Sequence, residues 1–273
     1  MALTLLTACA VTYGIAAVLG MVQLLSPRLK DERIAFGALV VGTLVHLLAI
    51  GARTAELGSF PMASTHDALS LFGFSIAALA LIIAGTQKVP QVVPLSATLV
   101  AGMVFLAAIA EPAPQVPEKF QSPWLPLHIA FAFLGNAAFV VAGIIAVVYL
   151  IQENRLRRKK SRPTRPPTGL QRLPALEVLD RTSVRLIEVG FPLMTLALAS
   201  GMLYAREVWG QLWRWELRNV VALLVWVLFL VLLHFRITIG WRGRKAASLT
   251  VVGVGAILIS IVGLRMLGFG HHQ

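Results

Sequence analysis

The chain is poor in charged residues and almost devoid of cysteine. Only 13% of its 273 residues are charged, whereas 58% are apolar and the mean hydropathy is +0.80. A soluble domain of this size does not reach these values, so the composition excludes a water-soluble globular protein and indicates a polytopic membrane protein. The single cysteine, Cys9, excludes an internal disulfide, a CxxC motif and a thiolate metal cluster.

Long apolar runs account for most of the sequence. A helix needs roughly 20 apolar residues to cross a bilayer. Eight runs meet that length, at about 2–25, 34–52, 65–85, 91–110, 125–151, 186–205, 217–236 and 246–267. They predict an all-α fold, a bundle of eight transmembrane helices forming a single domain over residues 1–273. The first run lacks a basic region and a cleavage site, so we interpret it as a retained span.

Basic residues outnumber acidic ones by 24 to 12, and their distribution predicts the orientation of the chain. Eighteen Lys and Arg fall in loops on one side of the predicted bundle and six on the other. Because such residues accumulate in cytoplasmic loops, both termini are predicted to be extracytoplasmic. Residues 154–170 become a basic cytoplasmic loop that lies in water or on anionic lipid. The net charge of +12 therefore follows from topology and does not indicate nucleic acid.

Tryptophans cluster in the sequence WGQLWRWE at residues 209–216, on the predicted extracytoplasmic side. Tryptophan is common at membrane interfaces, but usually scattered among helix ends. If the stretch is helical, Trp209, Trp213 and Glu216 share one face and Trp215 points away. Residues 206–218 then form an external surface for a flat ligand such as a porphyrin, and nearby arginines could pair with its carboxylates. An ordinary aromatic belt is the alternative.

Histidines are the other candidate ligands, since imidazole is costly inside a membrane and binds haem iron well. His128 is predicted at the outer start of the fifth span, and His271 and His272 beyond the outer end of the eighth. His46 and His234 should differ in depth by on the order of 10–20 Å, which disfavours their pairing on one iron. For His46 a helix-to-helix hydrogen bond is the alternative, and for His234 an interfacial position.

Three consecutive stretches carry a family resemblance. They are WGQLWRWE at 209–216, VVALLVWVLFLVLLHFR at 220–236 and GWRGRKAA at 240–247. Together they resemble the tryptophan-rich signature of the CcsA/CcmC/CcmF cytochrome c assembly proteins, and the length resembles the CcsA branch and its HemX-like relatives. SPWLPLHIAF at 122–131 and SFPMASTHDALSLFGF at 59–74 are similar to further family segments.

The resemblance implies a protein that binds or presents haem for cytochrome c maturation. It implies haem b as bound cargo, held by the tryptophan-rich segment with His128 and His271 as iron ligands. It assigns His234, and more weakly His46, to haem handling within the membrane. It further implies location in the bacterial inner membrane, with a second membrane assembly protein and an apocytochrome c as partners. It also implies that haem is attached by a larger lyase or synthase rather than by a self-contained catalytic site.

The chain also departs from the family pattern. Residues 216–219, Glu-Leu-Arg-Asn, replace an Asp-Pro-Lys-Glu-like sequence, and His66 with Asp67 replaces a Tyr-Glu pair. The tail ends in His271, His272 and Gln273, so either histidine could be the second external ligand. These departures favour an alternative function as a HemX-like regulator of haem synthesis, or as an assembly factor without ligation activity. A solute transporter is disfavoured, because the spans show no repeat and few charges.

Overall fold

A computed structural model describes residues 1–26, 32–62, 64–112, 121–161 and 173–260, with no account of the side chains of 158–161. All regular structure in these ranges is helical, which confirms the all-α prediction. The helices are α1 (Ala2–Leu25), α2 (Arg33–Leu57), α3 (Thr65–Gln87), α4 (Val92–Ile109), α5 (Trp124–Ser161), α6 (Leu176–Trp209), α7 (Leu217–Thr238) and α8 (Arg244–Leu258).

Seven of the eight predicted spans correspond to helices long and apolar enough to cross a bilayer, namely α1 to α7. The chain is therefore an integral membrane protein. Helix α8 begins near the start of the eighth predicted run but has only 15 residues. The rest of that run, from residue 261, lies outside the described residues. The eighth crossing stays a prediction.

The bundle consists of two groups of helices. Helices α1 to α4 pack against one another, α5 packs against α6 and α8, and α7 packs against α6 and α8. Helices α3 and α4 join the groups by packing against α5. Helices α5 and α6 run in opposite directions, because Ser122, just before α5, donates a hydrogen bond to Glu207 near the end of α6 (2.6 Å). We call the end of the bundle that holds residues 209–217 the tryptophan end, and the opposite end, where α5 ends and α6 begins, the basic end.

Helix α5 corrects the predicted extent of the basic loop. The predicted spans at 125–151 and 186–205 left residues 152–185 between them, with the basic loop at 154–170, whereas α5 continues to Ser161 and α6 already begins at Leu176. Residues such as Arg, Leu and Lys favour helix even outside the membrane, and Glu153 pairs with Arg157 one turn later at 2.8 Å. At about 1.5 Å per residue, 38 residues make a helix of roughly 57 Å. This exceeds the hydrocarbon thickness of about 30 Å, so α5 extends into the aqueous phase at one end or both.

Close packing between α5 and α6 depends on the absence of a side chain at Gly190. A Cβ atom built there would lie 2.9 Å from the ring of Phe139 on α5. On another side, the Phe139 ring stacks on Phe229 of α7 with centroids 3.8 Å apart. Small residues allow membrane helices to approach closely, and here they bring α5, α6 and α7 together around one aromatic pair.

Candidate functional site

His128 lies in the second turn of α5 and faces α6. Its ring is partly buried, and Nδ1 is 2.8 Å from the carbonyl oxygen of Ala197. A carbonyl oxygen can only accept a hydrogen bond, so Nδ1 must carry the proton. In the neutral ring Nε2 then holds the lone pair. Metal-binding histidines usually have this arrangement, with one ring nitrogen donating to a backbone carbonyl and the other free to bind the metal.

The position of His128 along the bundle follows from its contacts with α6. A Cβ atom built on Gly201 would lie 2.8 Å from His128 Nδ1. Gly201 precedes Trp209 by eight residues of helix, or about 12 Å. His128 therefore lies about two turns deeper in the bundle than the first tryptophan of the segment.

The tryptophan segment is a loop after Trp209, so the condition for a helical face shared by Trp209, Trp213 and Glu216 is not met. Helix α6 ends at Trp209, and Gly210 adopts a left-handed conformation (φ 71°) with its N–H bonded to the carbonyl of Arg206. Glycine in this position ends helices because other residues are strained there. Helix α7 begins only at Leu217, which leaves residues 210–216 without regular structure.

Aromatic contacts give the loop a defined shape. Trp213 and Trp215 meet edge to face with ring centroids 5.9 Å apart, and Trp209 meets Tyr204 in the same way at 5.3 Å. Trp215 is 82% exposed and Trp209 41% exposed. Indoles exposed to this degree, held in place by other aromatic rings, form a surface on which a flat apolar ligand can pack.

Arg214 ties the loop together. Its guanidinium lies over the Trp209 ring at 4.7 Å and pairs with Glu216 at 3.0 Å. Its carbonyl accepts a hydrogen bond from Asn219 Nδ2 at 2.9 Å. Glu216, the acid of the motif, thus neutralises an arginine within the same loop. Three arginines near the loop, Arg206, Arg214 and Arg218, are candidates to pair with haem carboxylates. Arg206 and Arg218 are exposed.

Trp213 contains an unused hydrogen-bond donor. Its indole nitrogen is buried and has no hydrogen-bond partner in the part of the chain that the structure describes. Burial of a donor without a partner costs about 1–3 kcal/mol, so each such group calls for an explanation, for example an ordered water, an ion or a bound molecule. A bound molecule reaches the Trp213 N–H only if the groups that cover it move aside.

His46 is fully buried among α1, α2 and α3. Its Nε2 lies 2.9 Å from Ser70 Oγ on α3, and its Nδ1 lies 3.2 Å from Tyr13 Oη on α1. Thr43, one turn earlier on α2, is 3.5 Å from the same tyrosine oxygen. Both ring nitrogens are therefore engaged. This geometry favours the hydrogen-bonding alternative over a haem ligand.

A polar cluster at the tryptophan end joins α2 to α3. The Asp67 carboxylate is completely buried and pairs with Arg53 Nε at 3.2 Å. It also accepts hydrogen bonds from the Ser64 hydroxyl at 2.7 Å and the Ser64 backbone N–H at 3.2 Å. The Asp67 backbone N–H in turn donates to Ser64 Oγ at 3.1 Å, and the two backbone N–H bonds form a capping box at the start of α3. His66 Nδ1 donates to the carbonyl of Ala107 on α4 at 2.7 Å. Ser64 followed by Asp67 is a capping-box pattern that the sequence analysis missed.

His234 lies on an exposed face of α7, towards the basic end. Arg236, two residues later, forms two hydrogen bonds with Asp180 of α6, at 2.6 and 3.2 Å. Helix α7 packs on α6 and α8, whereas His46 lies in the other helix group. The expectation that His46 and His234 do not share one iron, which rested on their depths, stays a prediction.

The second predicted external ligand is outside the described residues. His271 and His272 both belong to residues 261–273. Among the described residues, no group of three or more His, Cys, Asp and Glu could hold a metal ion. The candidate site therefore consists of His128 on α5, its contacts on α6, and the loop at 210–216.

A comparison with known protein families finds a match that covers most of the chain. The model of the cytochrome c assembly protein family matches residues 32–272, a range that includes α2 to α8. The chain belongs to the cytochrome c assembly protein family. The resemblance inferred from the tryptophan-rich stretch is thereby confirmed.

Individual members of the family are similar over most of their length. The chain is 30% identical to the cytochrome c biogenesis protein CcsA of Synechococcus sp. strain JA-3-3Ab, with 96% of this chain and 89% of the relative covered. It is 31% identical to CcsA of Synechococcus sp. strain JA-2-3B'a(2-13), with 81% and 79% covered. For CcsA of Thermosynechococcus vestitus the identity is 30%, with 82% and 81% covered.

Proposed function

We propose that this protein binds haem at the tryptophan end of the bundle and presents it for cytochrome c maturation. The observation that carries the proposal is the hydrogen bond from His128 Nδ1 to the Ala197 carbonyl, which leaves Nε2 as an iron ligand. Family membership supports the process, and the bundle supports a membrane location. We propose that this membrane is the bacterial inner membrane.

The residues of the site fit a haem ring. His128 would supply one axial ligand, and we propose His271 or His272 for the other. The exposed indoles of Trp209 and Trp215 would cover apolar parts of the ring, and the Trp213 N–H would meet an acceptor at its edge. Arg206 and Arg218 lie close enough to the loop to pair with haem carboxylates. The remaining polar group, Glu216, keeps Arg214 in place.

Haem is the cargo in this proposal, and its chemistry is completed elsewhere. A partner would join the haem to the thiols of an apocytochrome c. We propose that this attachment also requires a second membrane assembly protein. The chain itself has one cysteine, Cys9, and it is buried in α1. The task of this protein is thus to hold haem iron, orient the ring and keep its edge accessible. We retain His234 as a candidate haem contact within the membrane, since it is an exposed imidazole on α7.

Haem content tests this function. The protein purified in mild detergent should contain haem with a low-spin, bis-histidine optical spectrum. His128→Ala should lose that spectrum and much of the haem. His66→Ala is the matched control, because His66 also donates its Nδ1 proton to a backbone carbonyl, that of Ala107, but lies on α3 in the other helix group. A haem-free protein, or equal spectra for the parent and His128→Ala, would refute the proposal.

Orientation needs its own experiment. We propose that the tryptophan end faces outward, because the basic residues concentrate at the other end. In a Cys9→Ser background, Gln211→Cys should react with a membrane-impermeant maleimide in intact cells. Leu156→Cys, exposed near the end of α5, should react only after lysis. The reverse labelling pattern would contradict the orientation.

The second candidate function is a HemX-like regulator or an assembly factor without ligation activity. The observation that favours it is the Arg214–Glu216 pair, in which the acid of the motif is occupied by an arginine of the same loop. A regulator would support normal cytochrome c attachment only indirectly. Deletion of the gene, followed by haem staining of cytochromes and measurement of haem synthesis intermediates, distinguishes the two.

A further inference from the structure

Gly201 is in direct contact with the proposed haem ligand. A Cβ atom built on this residue would lie 2.8 Å from His128 Nδ1 and 2.9 Å from Cε1. Real Cβ atoms do not approach other atoms this closely, so with any larger residue at 201 the imidazole ring or the helix backbone must shift. The Ala197 carbonyl, one turn earlier on the same helix, accepts the hydrogen bond of the ring.

These two contacts act on the same nitrogen. The Ala197 carbonyl fixes the proton on Nδ1 and so directs the Nε2 lone pair. The space at Gly201 allows Nδ1 to come within 2.8 Å of that carbonyl. A methyl group at 201 would overlap Nδ1 itself, so it would break the hydrogen bond that sets the tautomer and the orientation of the ring.

We infer that Gly201 is a positioning residue for His128, which sets the orientation and tautomer of the iron ligand by leaving space for its ring. This inference rests on the proposed function, because the role matters only if His128 binds haem. The packing contact exists whether or not haem binds, and this difference allows the two to be tested separately.

The effect of Gly201→Ala on haem is measured first. We expect it to shift the haem spectrum and reduction potential towards those of His128→Ala, and to weaken haem binding roughly tenfold or more, as loss of a group that orients a metal ligand usually does. Gly190→Ala is the matched control. It introduces a clash of equal closeness, 2.9 Å to Phe139, in the same α5–α6 interface but away from His128. Equal haem changes in both variants would mean that helix separation is responsible, and would overturn the inference.

A double variant tests the contact without haem. Removal of the imidazole makes room for a methyl group, so Gly201→Ala should lower the melting temperature of the parent but not that of the His128→Ala protein. If Gly201→Ala does not accumulate in folded form, recovery in the double variant would support the inference. Destabilisation that persists in the His128→Ala background would overturn it.

The outcomes separate the two claims. If His128→Ala changes the haem spectrum and Gly201→Ala does not, the inference fails and the proposed function stands. If neither variant changes the spectrum, the proposed function fails, and the positioning role fails with it. If both change it and Gly190→Ala does not, both claims are supported.

Discussion

Substitution of Arg53 by methionine should strongly destabilise the protein, because it leaves the buried carboxylate of Asp67 without its positive partner. The Asp67 side chain has no exposed surface and Arg53 only 16%. The two Ser64 hydrogen bonds would remain but cannot neutralise the charge. Breaking a buried ion pair on one side typically costs about 3–5 kcal/mol. Since Arg53 reaches some solvent, we expect the low end of that range, about 3 kcal/mol.

A double variant checks the origin of this cost. Asp67→Asn removes the charge and keeps an oxygen for the Ser64 hydroxyl, so Arg53→Met combined with Asp67→Asn should be markedly more stable than Arg53→Met alone. Unfolding of the purified protein in mixed micelles, followed by circular dichroism, measures the difference. A single variant that costs less than about 1 kcal/mol, as an exposed pair would, refutes the argument. So would a double variant no more stable than the single one.

Three further predictions concern the tryptophan loop, the α1–α3 core and the basic end. Trp213→Phe should weaken haem binding, as seen by titration, because it removes the unused indole N–H. Trp226→Phe is the control, because it removes the indole N–H that donates to Thr195 on α6. It should cost about 1 kcal/mol of stability and leave haem affinity unchanged. His46→Ala should lower the melting temperature, because it leaves two buried hydroxyls without this partner, yet leave the haem spectrum unchanged; a changed spectrum would restore His46 as a haem ligand. Arg236→Met should destabilise the protein by separating α7 from Asp180 on α6, again without loss of haem affinity. Equal stability of the parent and this variant would contradict the role of the pair.

Hydrophobicity made the membrane-spanning helices predictable. Seven spans follow from long apolar runs, since each must bury its backbone polar groups within a helix in lipid. The ends of α5 and α6 were not predictable in this way, because helix outside the membrane depends on local pairs such as Glu153 with Arg157. Hydropathy does not report such pairs.

The candidate site was predictable in its components and less so in its geometry. His128 and the tryptophans stood out because such residues are unusual where they occur. The Ala197 carbonyl and Gly201 carry no chemical signal in the sequence, and only the packing of α5 on α6 brings them to His128. The loop conformation was missed because its cause is one residue, Gly210, whose left-handed backbone ends α6. A glycine directly after a periodic apolar stretch was the available signal.

Ligation of haem iron by His128 is the central claim, and the ferric optical spectrum with and without added imidazole tests it most directly. The parent protein should show a low-spin spectrum that imidazole does not change. His128→Ala should lose that spectrum, and imidazole, as a substitute for the missing ring, should restore it. A low-spin spectrum in His128→Ala before imidazole is added would contradict the account.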